Sequence, residues 1–485
     1  AALLNRKLRG ITVYRLAVFV PVVTSTIATG VISSWLLDPE LAEALIDELS
    51  SDGQLVFTEG DMYQYSEELH YWVRLPPDKL SRVVMSFAGA PLGFDKEGNP
   101  KGALKITASK VKGTIECASN LLSKPDFFGS ARSGIVFRNA FVCATRDGIQ
   151  LFAHSPEHRA RCGYAFDYDP DAVPNLFLEF LRSCFAGDGD AVDKMMLATQ
   201  YPGVSLLGRA TAFQKILIAK GDGANGKGVF TQVVDAAMPE GSTCALPPQK
   251  WDVDCHRARL VGKLLNLVPE LPESDILCSE TFKAVVAGDK LVAKKLYQQP
   301  FDMVPVAGHI CAANRLPATK DPTHGFWRRP LILLFERIFA PDEQDLDLAK
   351  KIIETELPAV VSLLVRCGQL ALRQGHFTVP ASSDRAVAEW RKSADQVRAF
   401  LDECCVELDP SAPRTEWTRA TPLYEAYKTW AREAGHFPFA RNNFGARLAA
   451  AGHGSGEDSE GNFYRLKLVR PTMVASAMFR FGVPQ

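Results

Sequence analysis

A short apolar run, Ile216 to Ala219, leads into a glycine-rich loop, Gly221 to Gly226, and then into Lys227 and a segment of helical periodicity. That order constrains the chain more than any other stretch. Glycines reach backbone conformations that turn N–H groups inward toward phosphate oxygens. The helix behind them presents its N-terminus to the same anion. Lys227 adds a point charge for the β- and γ-phosphates. The cradle would run through Gly221, Asp222, Gly223, Ala224, Asn225, Gly226, Lys227, Gly228 and Val229. Gly221, Gly226 and Lys227 fit the G-x-x-x-x-G-K part of the P-loop pattern, but Gly228 stands where Ser or Thr would place a hydroxyl on Mg2+. Gly221, Gly223 and Gly226 also spell the dinucleotide fingerprint G-x-G-x-x-G. That reading needs an acid about 20 residues on, at the end of the next strand. The region holds Pro239, Gly241, Pro247 and Pro248 instead, and a lysine directly after the third glycine favours a triphosphate. A purely structural glycine turn is the bland alternative.

At 485 residues the chain exceeds what one hydrophobic core holds, and several domains are expected. A net charge of −1 and a pI of about 6.8 carry no global basic excess, so any nucleic-acid site must be local. The 11 cysteines include no C-x-x-C pair and no His/Cys cluster, which argues against zinc and a disulfide framework and suits a reducing compartment. Leu16 to Leu37 is uncharged and long enough to cross a bilayer. Pro21 and its many hydroxyls favour a buried strand and helix, and no membrane is expected. The first residue is not Met, as in a fragment or processed product.

Residues 38–49 read as an amphipathic helix, 54–75 as short strands, 89–102 as a loop and 103–122 as helix. Ile135 to Phe152 reads as a hairpin, 175–186 as a helix, 343–374 as helical and Thr378 to Ser383 as a linker. The expected divisions are an apolar N-terminal segment (1–50), an α+β accessory domain (51–205), the nucleotide core (206–378) and a small α+β module (384–475).

Hydrolysis of a triphosphate needs an acid to orient Mg2+ and polarise water, a polar sensor for the γ-phosphate, and an arginine to neutralise transition-state charge. The chain offers each in order. An apolar strand from Leu264 ends in Glu270, another from Ile310 ends in Asn314, and Arg328 and Arg329 precede the apolar run Leu331 to Phe335. Singly, each has a bland reading, as a strand-end acid or a solvated arginine pair. Lys294 and Lys295 sit on an expected hairpin. They suit either an ordinary charged turn or a loop gripping a nucleic-acid backbone without regard to sequence.

Taken together, these residues resemble the superfamily 3 helicases of the phage and plasmid primase-helicase type, related to the poxvirus nucleoside triphosphatase. The resemblance rests on Gly221 to Lys227, Glu270, Phe282-Lys283 with Ala287-Gly288-Asp289, Ala313 to Pro317 and Phe326 to Pro330. Upstream it extends to Phe137-Arg138-Asn139, His154 to Glu157 and Tyr168-Asp169-Pro170. Downstream it extends to Leu423 to Trp430, Phe444 and Phe463 to Leu466, which look like a winged-helix module. The resemblance implies an α/β fold with a P-loop AAA+-like motor core, a parallel sheet with flanking helices. An α+β domain would precede it and a winged-helix-like α+β module would follow.

The resemblance also implies a ring, usually a hexamer, with ATP between subunits and single-stranded or forked DNA as substrate. Lys227 would bind phosphates, Glu270 would activate water and help hold Mg2+, and Asn314 would be the sensor. Arg328 or Arg329 would reach the neighbour's ATP, and Lys294 or Lys295 would touch DNA. A primase or polymerase partner is implied, as is the cytoplasm, that of the host for a phage or virus. Two positions depart from the pattern. Gly228 lacks the metal-binding hydroxyl, for which Thr231 one turn on is the substitute. Pro269-Glu270 is less acidic than the family strand end, with Glu273 as a second acid. No paired carboxylates for two-metal polymerase chemistry stand out in 1–160.

Three alternatives compete with this reading. A GTPase would carry an N-K-x-D-like base reader, which is missing. A small-molecule kinase would not need so much flanking chain. An ATP-binding initiator or scaffold without unwinding activity is kept open by Gly228.

Overall fold

The structure, a computed structural model, describes residues 39–91, 99–100, 102–129, 131–271, 280–295, 299–317, 319, 323–394, 396–434, 438–459 and 461–469. Leu16 to Leu37 and Glu273 lie outside them. The chain divides into two compact units, Ala1–Pro317 with Arg328–Ser383, and Ala318–Trp327 with Asp384–Gln485.

The first unit begins with helix α1 (39–50), whose Leu41, Leu45 and Leu49 recur every fourth residue and so share one buried face. α1 packs with an antiparallel meander, β1 (Leu55–Thr58), β2 (Asp61–Ser66) and β3 (Tyr71–Arg74), and with α2 (Pro77–Ser86) and α3 (Ala108–Leu121). The β1–β2 turn has only Glu59 and Gly60 between paired strands, both at positive φ (52° and 76°), the geometry a two-residue hairpin requires. The expected hairpin at 135–152 is a three-stranded sheet, β4 (Ile135–Val136), β5 (Phe141–Ala144) and β6 (Ile149–Phe152). Two polar turns, at Arg138-Asn139 and Arg146-Asp147, divide it where one was anticipated.

Helices α4 (Asn175–Cys184) and α5 (Ala191–Leu206) lead to the central sheet. Its strands are β7 (Ile216–Lys220), β8 (Thr243–Cys244), β9 (Leu265–Val268), β12 (Gly308–Ala313) and β13 (Pro330–Leu334), all parallel, in the order β13-β7-β12-β9-β8. Parallel strands covered on both faces read as continuous apolar runs, and β12 is buried at every residue. Helix α6 (Lys227–Ala236) follows β7. Helix α7 (Glu280–Ala287) and the antiparallel hairpin β10 (Leu291–Ala293) and β11 (Phe301–Met303) lie between β9 and β12 in the chain.

Helix α8 (Leu348–Gln374) starts five residues later than the periodicity suggested. It is long and apolar enough to cross a membrane by length and composition alone, yet its Val360, Val361, Leu364 and Val365 are wholly buried in the core it shares with α5. The two helices meet at a glycine crossing. A Cβ on Gly203 would stand 2.0 Å from the Leu364 carbonyl oxygen and 2.8 Å from the Gly368 nitrogen. The Glu356 carboxylate on α8 accepts from the Leu176 and Phe177 amides (3.0 and 3.1 Å). It satisfies the start of α4, which has no side-chain cap of its own.

Thr378 to Ser383 is not all linker, because helix α9 (Ala381–Ala394) begins inside it. Pro380 directly precedes it and Ser382 and Ser383 lie in its first turn, where the Ser383 N–H donates to the Pro380 carbonyl at 2.9 Å. The second unit contains the rest of α9, then α10 (Gln396–Cys404), α11 (Ala420–Glu433) and α12 (Arg441–Ala450). Helices α10, α11 and α12 pack around Phe400, Leu423, Tyr427 and Phe444. Its small sheets pair β14 (Cys405–Glu407) with β18 (Leu466–Leu468), and β17 (Gly461–Tyr464) with both β15 (Thr418–Arg419) and β16 (Ser455–Asp458), all antiparallel. Trp327 packs edge-on against Trp390 in the same unit, with centroids 5.2 Å apart.

Gly203→Val is expected to overpack the α5–α8 crossing and cost at least about 1–3 kcal/mol, read as a lowered Tm. Gly189→Ala, whose Cβ would meet nothing within 4 Å, is expected to melt with the wild type. A Gly203→Val protein of unchanged Tm would mean that the helices do not cross at this distance.

Candidate functional site

In a parallel sheet all strands end at one edge, and here the C-terminal ends of β7, β12 and β9 are neighbours. The glycine loop leaves β7 at that edge. Gly223 (φ 107°), Ala224 (φ 47°) and Gly226 (φ 85°) turn it back so that α6 starts at Lys227. Gly226 is needed twice over. Its φ suits glycine, and a Cβ there would lie 2.5 Å from Cys184 Sγ on α4. Ala224 carries left-handed backbone without being glycine, a strain of about 1–3 kcal/mol that the surroundings must hold. They do so from the segment after β13: the Phe339 N–H donates to the Ala224 carbonyl at 2.8 Å. Asn225 is 3% exposed, donates through Nδ2 to the Phe335 carbonyl (3.1 Å) and accepts from the Lys227 N–H (3.3 Å).

Lys227 Nζ donates to the Gly221 carbonyl (2.8 Å), the Ala313 carbonyl (3.1 Å) and Asn314 Oδ1 (2.7 Å). Burial lowers its pKa from the ordinary lysine value, against the opposing fields of Asp222 and Glu270, and Lys220 lowers it further. Glu270 is exposed just beyond β9, and the next residue is clipped to β12 by the Leu271 N–H donating to Ala312 O at 2.8 Å. Lys227, Asn314 and Glu270 thus come together on three adjacent strand ends.

Asp222 and Gly228 are exposed at the same loop, and Val229 packs against the core. Thr231 Oγ1 donates back to the Gly228 carbonyl at 3.0 Å, which leaves its lone pairs as possible ligands. A Cβ on Gly228 would meet nothing within 4 Å, so the missing hydroxyl reflects the residue and not a lack of space. Among the described residues no three His, Cys, Asp or Glu side chains gather as a metal cluster. Mg2+ bound mainly by substrate phosphates and water needs only one or two carboxylates, and Glu270 beside Lys227 fits that requirement.

The dinucleotide reading loses its partner here. The next strand in the chain, β8, is at the far edge of the sheet and is followed by Ala245 and Leu246, with no acid to hold a ribose.

The structure does not bring the arginines to the loop of their own chain. Arg328 and Arg329 precede β13, and the Arg329 carbonyl accepts from the Ile216 N–H (3.0 Å) at the start of β7. The length of a five-residue strand, roughly 16 Å, separates them from the loop at its other end. Arg328 is exposed and bonds Gln214. Arg329 is 6% exposed and donates to the Lys283 carbonyl at 3.3 Å. Lys294 and Lys295 follow β10, and they also differ. Lys294 is exposed, whereas Lys295 pairs with the buried Asp61 and donates to the Glu59 carbonyl at 2.7 Å. Sequence reasoning missed Glu59, Asp61 and the clamp from Phe339. Only the tight Glu59-Gly60 turn signalled the first two, and nothing local signalled the third.

Residues 219–329 match a family model described as a family of unknown function, DUF5906. The match takes in the glycine loop, Glu270, Asn314 and both arginines but covers a minority of the chain. Two solved structures of the C-terminal region of NrS-1 are similar at 9% and 11% identity, with TM-scores of 0.43 and 0.40. They cover 87% and 88% of this chain and 97% and 98% of theirs. A JCV helicase solved with a bound small molecule is similar at 11% identity and a TM-score of 0.20, over 47% of this chain and 71% of that one. Likenesses at this level assign no residue and no activity to the chain.

Asn225→Ala would leave the Phe335 carbonyl without its donor and is expected to cost about 1–3 kcal/mol, measured as a fall in Tm. A variant as stable as the wild type would show that the loop is not fastened there.

Proposed function

We propose that the chain is an ATP-dependent DNA helicase of phage, plasmid or mobile-element replication, working as a hexameric ring on single-stranded or forked DNA. The observation that carries this reading is the division of the sheet into two edges. The phosphate cradle, Lys227, Asn314 and Glu270 share one edge, and an exposed arginine stands at the other, about a strand length away. An arginine so far from its own cradle can neutralise transition-state charge only in a neighbouring subunit.

In this reading Gly221 to Val229 hold ATP, with Lys227 on the β- and γ-phosphates. Mg2+ would supply charge neutralisation to the triphosphate, and Glu270 and Thr231 are the protein oxygens that would help hold it. Glu270 also orients and deprotonates the attacking water, and Asn314 reads the γ-phosphate through the contact it now makes with Lys227. Arg328 serves as the finger, because Arg329 is buried in its own unit. The hairpin β10–β11 touches DNA through Lys294. Lys295 joins it only when its Asp61 pair is broken. The second unit is a winged-helix-like module, and a primase or polymerase would act alongside the ring in the cytoplasm. The alternative, an ATP-binding initiator or scaffold without unwinding, is favoured by one feature, Gly228.

The test is the ATP turnover rate with and without single-stranded DNA, on material sized by light scattering. DNA-stimulated turnover from a particle of about six chains is expected, and a monomer with absent or DNA-independent turnover would refute the ring helicase. Lys227→Ala should lower turnover by roughly 100-fold or more. Arg328→Ala should lower it by about 1,000-fold while ATP still binds, and normal hydrolysis in that variant would remove the finger. Gly228→Ser, which the space at the loop accommodates, should lower the Mg2+ concentration needed for half-maximal turnover.

A further inference from the structure

Two adjoining cavities open at the N-terminal edge of the parallel sheet, away from the phosphate loop. The first, about 500 Å3, is lined by Phe128, Arg161 and the residues that lead into β9 and β12, and by Lys290 and Phe301 of the hairpin β10–β11. The second, about 600 Å3, is lined by Thr145, Arg146 and Arg209. Ala131 and Ser133 line both, and Arg132 between them lines the first.

The charges of these two cavities are not balanced alike. In the first, Arg161 donates two bonds to the Glu59 carboxylate (2.7 and 2.8 Å), and Lys290 pairs with Asp302 at 2.8 Å. Arg146 and Arg209 line the second, Arg132 lines the first next to the dividing wall, and all three are exposed. Among the described residues no carboxylate lies within ion-pairing distance of any of the three. Asp147 is the one acid in the lining of the second cavity among the described residues. Cys143 lines the second cavity too. Burial pushes the Cys143 thiol up, and the fields of Arg132 and Arg209 both pull it down. Like charges gathered around a cavity repel one another, and an anion in the cavity relieves the repulsion.

The first cavity supplies flat surfaces. The Arg161 guanidinium lies 3.7 Å above the Phe128 ring, and Glu59 fixes its plane. Arg132 lies 4.1 Å above Phe152. Held guanidinium planes and aromatic rings are what unstacked bases pack on, while arginines grip the backbone between them.

We propose that Arg132, Arg146 and Arg209 bind the phosphodiester backbone of single-stranded DNA, and that the neighbouring cavity beside the β10–β11 hairpin takes an unstacked base. The identity of the polymer rests on the helicase reading; the anion site itself does not. The strand would pass from Lys294 on the hairpin, along Arg161, to the arginine cluster.

The experiment is the affinity of the full chain for a fluorescent oligothymidylate across a series of KCl concentrations. Arg132, Arg146 and Arg209 are replaced by Ala singly and together. Each single replacement should reduce the slope of log affinity against log salt by about 0.7 and the triple by about 2, with the affinity of the triple down at least about tenfold. The three corresponding Lys replacements should keep the slope, and DNA-free ATP turnover should be unchanged throughout. If the wild type binds and the Ala variants bind with the same slope, the proposal is wrong while the helicase reading stands. If the wild type does not bind single-stranded DNA at all, both fall. Should the triple variant fail to fold, the three single variants, at exposed positions, carry the same test.

Discussion

Lys227 joins two strands of one sheet through a single ammonium. It takes the Gly221 carbonyl just after β7, the carbonyl that ends β12 and the amide oxygen of Asn314, and it can do so only because those strands are parallel and adjacent. The order β13-β7-β12-β9-β8 then decides everything else about the site. β9 lies beside β12, so its acid, Glu270, stands in the field of Lys227. β13 lies beside β7 with its C-terminal end at the loop. Glu336 to Phe339 therefore close over the loop, and the arginines before β13 are sent to the opposite edge. One topological fact both assembles the cradle and removes the arginine from it.

The loop is held from behind as much as from the sheet. The Lys194 ammonium on α5 is buried and bonds Asp188 (2.7 Å) and Glu336 (3.0 Å). Burial alone would lower its pKa. The bonds it donates to Asp188 and Glu336 outweigh that, so the pKa is raised and the group stays charged. A buried charge with partners is costly to separate from them. Glu336 is thereby tied to α5, and three residues later Phe339 holds Ala224 in its strained conformation. α5 in turn is locked to α8 at the Gly203–Gly368 crossing. The strain in the loop is thus borne by a continuous line of packing.

Much of this was legible in the sequence. β7, β9, β12 and β13 are runs of apolar residues that end in chemically marked positions, and sheets covered on both faces produce such runs. The β10–β11 hairpin and the helix after the loop were legible for the same local reasons. The order of the strands was not, since four runs of similar composition carry no instruction about neighbours. Nor was the difference between Arg328 and Arg329, which depends on which of two adjacent side chains meets the Lys283 carbonyl. Glu356 capping α4 from more than a hundred residues away left no local trace either. The helix that begins at Ala381 was hidden by composition, because Pro and Ser at a helix start look like a linker.

The pairing of Lys295 with Asp61 bears on how the hairpin can move. Asp61 is 8% exposed and accepts from two cations, Lys295 and Arg74, the latter at 2.7 Å. Such a carboxylate does not give up a partner readily, because either cation alone would be left short of compensation in a partly dry site. The Lys295 ammonium also holds the Glu59 carbonyl, in the same tight turn whose carboxylate fixes Arg161. The base of the hairpin is therefore fastened at two points to the β1–β2 turn. Any shift of β12, to which β11 leads, has two outcomes available. It either carries the β1–β3 meander along with the hairpin, or it breaks a partly buried ion pair. The first is the smaller cost. The hairpin, the meander and the Arg161 plane then move as one piece, with Lys294 on the exposed side of that piece.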